Sequence, residues 1–408
     1  MQNKIEIHLH ENLPSYLHFL EDMVGINSFT GNPPGVNALG EYVANHFENL
    51  GFVAEQIQAE NHNFGKHLIL TRQGNNGPTI GLITHLDTVF SVDEEKSNDF
   101  HWRIDGDRIY GPGTNDIKGG TVMIYMVLEA LSIFSPEIFE GVTWVILANA
   151  AEERLSEDFS RLCLKRLAEN TIAALVFEAG VRDNNTFQLV TSRKGRATYK
   201  VTTLGKGAHA GSGHKDGANA IVQMADTIQK ISDLTDYDHQ LTYNIGKVAG
   251  GTVVNRVPHQ VKALGEMRTY SPVVFEDGLK KLLELENQPT LTSVKEEYKC
   301  QVAIKIIGQT EPWPENAATE SLLDIWKNAA QPLGLRVRRE QRGGLSDGNF
   351  LWQKIPTIDG LGPYGANAHC SERSADGSKE QEFANRSSFV PKALLNIFAI
   401  TKLIQLPG

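Results

Sequence analysis

Cysteine is scarce in this sequence, with Cys163, Cys300 and Cys370 the only ones among 408 residues. So small and odd a number disfavours the disulfide framework of many secreted proteins. We therefore expect a protein of the reducing cytoplasm. Cys370 directly follows His369, and we predict that it is a free thiol rather than a metal ligand.

Positive charge is also sparse. Lys and Arg number 39 against 49 Asp and Glu, which gives a formal net charge of -10. A nucleic-acid-binding protein needs a basic face, so nucleic acid is not an expected partner. No apolar run reaches about 18 residues, so we expect no transmembrane helix and no membrane partner. The opening residues lack the basic and apolar segments of a secretory signal peptide.

The remaining composition, 40 % hydrophobic and 22 % charged, is typical of a soluble globular protein. Short apolar segments alternate with stretches of helical periodicity such as GGTVMIYMVLEALSIF. Strands that are apolar on both faces indicate a mainly parallel sheet with helices on each side. We predict an α/β fold with a three-layer αβα domain. The predicted strands are HLILTR, PTIGLITHLDTV, VTWVILANA and AALVFEAG.

A different pattern begins near Arg196. Strand, helix, two strands, helix and strand follow one another, ending with QVAIKIIGQT. The order β-α-β-β-α-β is that of a ferredoxin-like α+β domain. We therefore predict that residues 196–305 form an inserted domain, and that residues 1–195 and 306–408 together form the α/β domain.

Charged side chains recur where the predicted strands end. In open α/β sheets, ligands bind beyond the carboxyl ends of the strands, so these side chains are expected at one site. Any one of them alone would more often be a solvated turn residue. The set consists of His85, Asp87, Asp116, Glu152, Glu153, Glu178 and His369.

Two histidines and several carboxylates are the ligands that zinc prefers in the absence of sulfur. Two Zn²⁺ would be balanced by Asp116, Glu153, Glu178 and one hydroxide. A single zinc would leave these acids repelling one another. Glu152 then stands unassigned beside the metals, where a general base would be useful.

Eight segments carry a more specific resemblance. They are HLDTVF, GPGTNDIKGG, NAAEER, FEAG, GKGAHAG, NRVPHQVKALGEMR, RGGLSDGNF and GLGPYGANAH. In these segments the chain resembles the di-zinc aminoacylase and glutamate carboxypeptidase family, which includes acetylornithine deacetylase and succinyl-diaminopimelate desuccinylase, and it is most similar to the glutamate carboxypeptidase branch. The segments span most of the chain in the family's order.

The resemblance implies a role for each residue of the site. It implies two Zn²⁺ per subunit, although Co²⁺ or Mn²⁺ would also suit such ligands. Asp87 would orient His85, and Glu152 would be the general base. A cis peptide bond between Asp116 and Ile117 is also expected. The implied ligands are His85 and Glu178 for one ion, Glu153 and His369 for the other, and Asp116 between them.

The inserted domain would act as a lid and as the surface of a homodimer. His209 resembles the family histidine that stabilises the oxyanion, commonly from the partner subunit. Asn255 and Arg268 resemble the residues that hold the substrate carboxylate, for which a guanidinium is well shaped. Gly344 and Ser346 are candidates for lining the same pocket.

The chain departs from the family after His369. An acidic pair usually follows there closely, whereas this chain has the longer segment HCSERSADGSKEQEF. Glu372 or Glu382 is the candidate to replace that pair.

The implied reaction is metal-dependent hydrolysis of a peptide bond that releases a C-terminal amino acid. Deacylation of an N-acyl amino acid is the alternative within the family. Two alternatives lie outside it. A serine hydrolase would use Ser346, Asp359 and His369, which follow the required chain order, and a non-catalytic relative would only bind metal or peptide.

Overall fold

The computed structural model describes residues 1–405 apart from 155, 168, 169 and 296. The chain forms two compact units. The first unit consists of Met1–Thr191, Glu315–Glu340 and Ser346–Gly408. The second unit consists of Ser192–Pro314 and Gln341–Leu345.

The first unit alternates helices and strands along the chain. The helices described in it are α1 (Gln2–Val24), α2 (Pro33–Glu48), α3 (Val92–Ser97), α4 (Lys118–Phe134), α5 (Pro136–Gly141), α6 (Glu157–Arg166), α9 (Ala317–Ala330), α10 (Gly348–Leu351) and α11 (Phe389–Gln405). The strands are β1 (Val53–Gln58), β2 (Lys66–Arg72), β3 (Thr79–His85), β4 (Arg103–Asp105), β5 (Arg108–Tyr110), β6 (Thr143–Asn149), β7 (Thr171–Val176), β8 (Val181–Asp183), β9 (Thr186–Arg193), β14 (Arg336–Arg342), β15 (Thr357–Ile358), β16 (Gly365–Ala366) and β17 (Phe383–Asn385).

A six-stranded sheet with the order β1-β2-β6-β3-β7-β15 forms the centre of the first unit. The pairs β6-β3, β3-β7 and β7-β15 are parallel, and β1 and β2 add an antiparallel edge. The inner strands β3 and β6 are buried at nearly every position, because helices cover both of their faces.

The two faces of this sheet have separate apolar cores. Leu82 on β3 packs into the larger core with α1, α4, α9 and α11, whereas its neighbour Ile83 packs against α6 and α10. Successive side chains of a strand point to opposite faces, which explains this alternation. Burying one such side chain contributes about 1.5–3 kcal/mol. The predicted three-layer αβα arrangement is confirmed.

The second unit contains one four-stranded antiparallel sheet with the order β11-β12-β10-β13. Its elements are β10 (Gly195–Leu204), α7 (Ala220–Ser232), β11 (Thr242–Gly250), β12 (Gln260–Thr269), α8 (Pro272–Glu284) and β13 (Gln301–Thr310). The predicted β-α-β-β-α-β order is therefore found. The predicted insertion, 196–305, lies inside this unit, which also includes residues such as 306–310 of β13.

One segment, Arg386–Gln405, is long and apolar enough to cross a membrane by length and composition alone. However, 67 % of its most apolar window is buried inside the protein. Core helices of soluble proteins have the same character, and α11 packs against α1, α4 and α9 in this way.

Candidate metal centre

His85 lies at the end of β3 and is 2 % exposed. Its Nδ1 is 2.9 Å from the carbonyl oxygen of Asp87. A carbonyl can only accept, so Nδ1 carries a proton, and loss of the Nε2 proton on metal binding would free the lone pair of that nitrogen. The Asp87 carboxylate is farther from Nδ1, at 3.6 Å. The nearest contact of Nδ1 is therefore with the Asp87 carbonyl, and the orienting role of Asp87 stays a prediction.

Asp116 lies between two imidazoles. Its Oδ1 is 3.0 Å from Nε2 of His85, and its Oδ2 is 3.2 Å from Nε2 of His369. The Asp116–Ile117 peptide bond is cis, as predicted. Asp116 sits in the loop just before α4, and this helix approaches the sheet closely because Gly120 has no side chain: a Cβ there would lie 2.0 Å from the carbonyl oxygen of Phe177.

Glu152 and Glu153 occupy a single 3-10 turn, Glu152–Arg154, directly after β6. The Asp87 carboxylate holds this turn: Oδ1 accepts the N–H of Glu152 at 3.0 Å, and Oδ2 accepts the N–H of Glu153 at 3.3 Å. The hydroxyl of Thr30 donates to the same Oδ2 at 2.6 Å. Asp87 therefore supports the histidine through its carbonyl and the two glutamates through its carboxylate.

The two carboxylates of the turn have different neighbours. Oε1 of Glu153 is 3.1 Å from Nε2 of His369. For Glu152, the described residues place no hydrogen-bond donor on its carboxylate. One acid of the pair is thus engaged with a histidine, and the other has no such contact among the described residues.

Glu178 and His369 complete the cluster. Glu178 follows β7, and its Oε1 is 3.8 Å from Nε2 of His85. His369 comes from the loop after β16 and has a left-handed backbone with φ 67°. Its side chain is 53 % exposed, so this part of the site opens to solvent.

The electrostatics of the cluster favour positive charge. Burial lowers the pKa of His85, but the carboxylates of Asp116, Glu178 and Glu152 raise it well above the usual value. The pKa of His369 rises to about 11 because of its contacts with Asp116 and Glu153. In the absence of metal ions, protonation of the two imidazoles thus supplies the positive charge that balances these carboxylates.

The other acids are pushed towards their neutral form. Burial and neighbouring acids raise the pKa of Glu152 well above its usual range. Burial raises the pKa of Asp87 to about 6 and that of Asp347 to about 7. Cations at this place would relieve the repulsion that causes these shifts.

The spacing of the ligand atoms also fits metal ions. Atoms bound to one tetrahedral zinc at about 2.0–2.2 Å stand about 3.3–3.6 Å apart from one another. The contacts of His85 and His369 with the three acids range from 3.0 to 3.8 Å. Ligand atoms of His85, Asp116 and Glu153 all lie within 4.8 Å of one another. A His/Asp/Glu metal site is therefore present.

The second unit contains four of the predicted site residues. Nδ1 of the exposed His209 accepts the N–H groups of Gly211 and Ser212, both at 3.1 Å. The N–H of Ala210 donates to the carbonyl of Asn255 at 2.9 Å, which places His209 and Asn255 on adjoining loops.

Arg268 extends from β12 and forms a two-pronged contact with Glu266, at 2.8 Å from Nε and 3.1 Å from Nη2. Its Nη1 donates to the carbonyl of Gly343 at 2.9 Å. The neighbouring Gly344 accepts a hydrogen bond from Arg193 through its carbonyl at 3.1 Å.

Ser346 is buried in the first unit, where its hydroxyl donates to Asp359 at 2.9 Å and accepts the N–H of Gly348 at 3.2 Å. A serine nucleophile would need its hydroxyl on a histidine. His369 instead contacts Asp116 and Glu153. The geometry thus gives no support to the serine-hydrolase alternative.

Three supporting residues were not anticipated from the sequence. Thr30 binds Asp87, as described above. Asn149 accepts the N–H of Ala151 at 3.0 Å, and it donates to Asp347 at 2.9 Å. A signal was available for Asn149, since it is a polar residue closing an apolar strand directly before the two glutamates. Thr30 lies far from its partner in the chain and gave no signal.

Beyond His369, only one of the two candidate acids approaches the cluster. Glu382 is fully buried, and its Oε1 accepts the N–H groups of Asn115 and Asp116 at 3.0 and 3.2 Å. Glu372 is exposed and pairs with Lys379. Cys370 is a free, half-buried thiol.

Comparison with known proteins extends these observations. The model of peptidase family M20/M25/M40 matches residues 81–396. Carboxypeptidase G2 of Pseudomonas sp. (strain RS-16) is 27 % identical over 361 residues, which cover 87 % of this chain and 83 % of that protein. A tripeptidase from Staphylococcus aureus has a similar structure, with a TM-score of 0.77 at 22 % identity, over 97 % of this chain and 99 % of the other.

A second solved structure that resembles this chain is a Bacillus subtilis protein, a dinuclear metal-binding peptidase from the M20 family. Its TM-score is 0.67 at 15 % identity, and the match covers 97 % of this chain and all of the other. The predicted family resemblance is confirmed, because the matched residues include most of the chain and every member of the metal cluster. The chain belongs to peptidase family M20/M25/M40 and is a metal-dependent hydrolase.

Proposed function

We propose that this protein is a binuclear metallohydrolase that cleaves a peptide bond and releases a C-terminal amino acid, as a glutamate carboxypeptidase does. The observation that carries the proposal is the position of Asp116, whose two carboxylate oxygens face different histidines at 3.0 and 3.2 Å. A carboxylate so placed can be shared between two metal ions. The similarity of this chain to carboxypeptidase G2 supports the carboxypeptidase assignment.

The contacts divide the ligands into two sets. His85 and Glu178 would hold one Zn²⁺, Glu153 and His369 the other, and Asp116 would contribute one oxygen to each. Two such ions supply Lewis acidity, which polarises the scissile carbonyl and lowers the pKa of water to about 7.

Glu152 is the proposed general base. Its carboxylate lies beside the ligand set yet accepts no hydrogen bond from the described residues. The Asp87 carboxylate fixes the backbone of Glu152 through its N–H at 3.0 Å, so the side chain is held next to the ligands. Glu152 would take the proton of the attacking water and then deliver it to the leaving nitrogen.

His209 is the proposed oxyanion donor, supplied by the partner subunit as the family resemblance implies. Its Nδ1 accepts two backbone N–H groups, so the neutral ring carries its proton on Nε2. An Nε2–H group is what stabilisation of a tetrahedral oxyanion requires.

Arg268 is the proposed anchor of the substrate carboxylate, with Asn255 beside the His209 loop. The contacts with Glu266 and Gly343 fix the orientation of the guanidinium. One N–H on Nη1 and one on Nη2 have no partner among the described residues, and they can donate to an incoming carboxylate. Gly344 and Ser346 remain predicted pocket residues.

We also propose a homodimer formed through the second unit. Its edge strand β11 is exposed along most of its length. Exposed apolar side chains adjoin this edge, and Val254 is fully exposed. An exposed edge strand with apolar side chains beside it is a surface that a second copy of the chain can cover. The exposed apolar side chains are Ile221, Val222, Val248, Val253 and Val254.

A panel of peptides and N-acyl amino acids tests the proposal. The purified protein, loaded with defined Zn²⁺, Co²⁺ or Mn²⁺, is assayed on N-acyl dipeptides and N-acyl amino acids that end in glutamate. We expect release of free glutamate, and we expect amidation of the terminal carboxylate to abolish it. Arg268→Gln should raise KM for these substrates and change kcat little, whereas Lys305→Gln, at an exposed strand position of the same unit, should change neither.

The panel also separates the alternatives. Cleavage of N-acyl amino acids alone would replace the carboxypeptidase assignment by that of a deacylase. A strict need for a free α-amino group would indicate an aminopeptidase or tripeptidase. Metal-loaded protein that turns over no member of the panel would support the non-catalytic alternative.

A further inference from the structure

The turn that carries Glu152 and Glu153 is held at four consecutive backbone N–H groups by side chains from other positions. The N–H groups of Glu152 and Glu153 bind Asp87, and that of Ala151 binds Asn149. The fourth, that of Ala150, donates to Nδ1 of His67 at 3.2 Å. His67 belongs to β2, and the proposed mechanism gives it no role.

His67 is a buried histidine with both ring nitrogens engaged. Its exposure is 1 %, and its Nε2 is 3.1 Å from Oδ2 of Asp158. Nδ1 accepts a hydrogen bond, so the proton of the neutral ring must be on Nε2, where Asp158 receives it. Asp158 is fixed in turn by the N–H of Glu60, which donates to the same oxygen at 2.7 Å.

We infer that His67 is a positioning residue for the reaction, which fixes the path of the chain out of β6 and thereby the places of Glu152 and Glu153. Three elements meet at this ring. Strand β2 supplies His67, strand β6 ends next to Ala150, and the first turn of α6 supplies Asp158. Without the acceptor, the buried N–H of Ala150 would lose its partner just before the catalytic pair.

The physical state of the ring agrees with this role. Burial lowers the pKa of His67, and Asp158 offsets only part of the effect. The ring therefore stays neutral near pH 7 and keeps the lone pair that Ala150 needs. The inference rests on the proposed function, since it concerns the residues to which a base and a ligand are assigned.

Two substitutions of nearly equal shape test it. In Asn, the side-chain oxygen is attached to Cγ as Nδ1 is in histidine, so His67→Asn keeps an acceptor for Ala150. In His67→Leu a methyl group takes that place. Trp144→Phe is the matched control, because it removes a buried hydrogen bond, from Trp144 Nε1 to the carbonyl of Phe139 at 3.0 Å, at the other end of the same strand.

Three quantities are measured on the full chain: kcat and KM with metal bound, zinc affinity, and hydrogen–deuterium exchange of peptides covering residues 147–154. We expect His67→Leu to lower kcat and zinc affinity by about 10- to 100-fold, with KM little changed. Exchange at residues 150–153 should become faster. His67→Asn should keep most of the wild-type values. Trp144→Phe should leave the kinetic constants, the zinc affinity and the exchange at residues 150–153 unchanged.

The inference is overturned if His67→Leu keeps wild-type turnover and exchange, or if His67→Asn is as impaired as His67→Leu. Should His67→Leu fail to fold, His67→Gln replaces it, because the Gln amide lies one carbon farther from the backbone. A failure of the proposed function looks different. The wild-type protein would then lack turnover, while exchange and zinc affinity would still report on His67.

Discussion

The carboxylate of Glu382 accepts the backbone N–H of Asp116 at 3.2 Å. This contact links the segment after His369 to the loop that carries Asp116. The backbone N–H of Glu382 also donates to the carbonyl of Cys370 at 2.8 Å. This hydrogen bond brings together the two ends of the loop between Cys370 and Glu382, next to His369 in the chain. Glu382 thus connects the Asp116 loop to the His369 loop, although the segment after His369 is longer in this chain than is usual in the family.

Replacing Glu382 should therefore destabilise the site. Glu382→Ala would leave the N–H groups of Asn115 and Asp116 without their acceptor, at a cost of about 1–3 kcal/mol each. Burial and the charge of Asp116 raise the pKa of Glu382 to about 8, so the side chain is mostly neutral at pH 7 and Glu382→Gln should be much milder. Urea unfolding and zinc affinity measure both variants. Glu372→Ala, in the same segment but exposed, should change neither, and an equal effect of it would contradict this role.

The two glutamates after β6 should give different phenotypes. Glu152→Gln should lower kcat by about 10²–10⁴-fold, because the base is lost, while zinc content stays near that of the wild type. Glu153→Gln should lose metal. Metal analysis and steady-state kinetics compare the two, with the exposed Glu157→Gln as control. Retained turnover in Glu152→Gln would refute its assignment as the base.

Metal binding should release protons. In the metal-free protein the pKa of His369 is raised to about 11 by Asp116 and Glu153, and that of His85 is also raised, so both rings are charged at pH 7. A ring must lose its proton to bind an ion, so two ions should displace about two protons. Zinc affinity should consequently weaken as the pH falls.

Calorimetric titration of the chelator-treated protein with ZnCl₂, in two buffers of different ionisation enthalpy, counts these protons. His369→Ala should reduce the number by about one. Binding heats that are the same in both buffers would show that the two rings are already neutral. Chelation by itself should abolish turnover, and added Zn²⁺ should restore it.

The exposed apolar group beside β11 should hold two copies together. Val254→Asp should shift the protein to a monomer in sedimentation velocity, because a buried charge without a partner is costly. Turnover should fall with it, since His209 is proposed to act on the partner's substrate. Val273→Asp, at an exposed position on α8 of the same unit, is the control. A wild-type protein that is monomeric and fully active would rule the dimer out.

The sequence by itself determined the architecture, and it pointed to the residues proposed as metal ligands. Apolar runs such as the one ending at His85 identify strands that are buried on both faces, and such strands require a layered fold. Three of the proposed ligands follow from the same signal, since His85, Glu153 and Glu178 each stand where an apolar run ends. Asp116 and His369 gave a weaker local signal, and the motifs around them identified them.

Only the tertiary structure decided how this cluster is supported. The hydrogen bonds from Ala150 to His67, from Glu152 to Asp87 and from Asp116 to Glu382 join residues far apart in the chain. Hydrophobic periodicity records which face of an element is buried, but it carries no information on which distant side chain meets a given N–H group. For that reason the sequence linked Asp87 only to His85, and the fold adds the contacts from its carboxylate to the turn of the two glutamates.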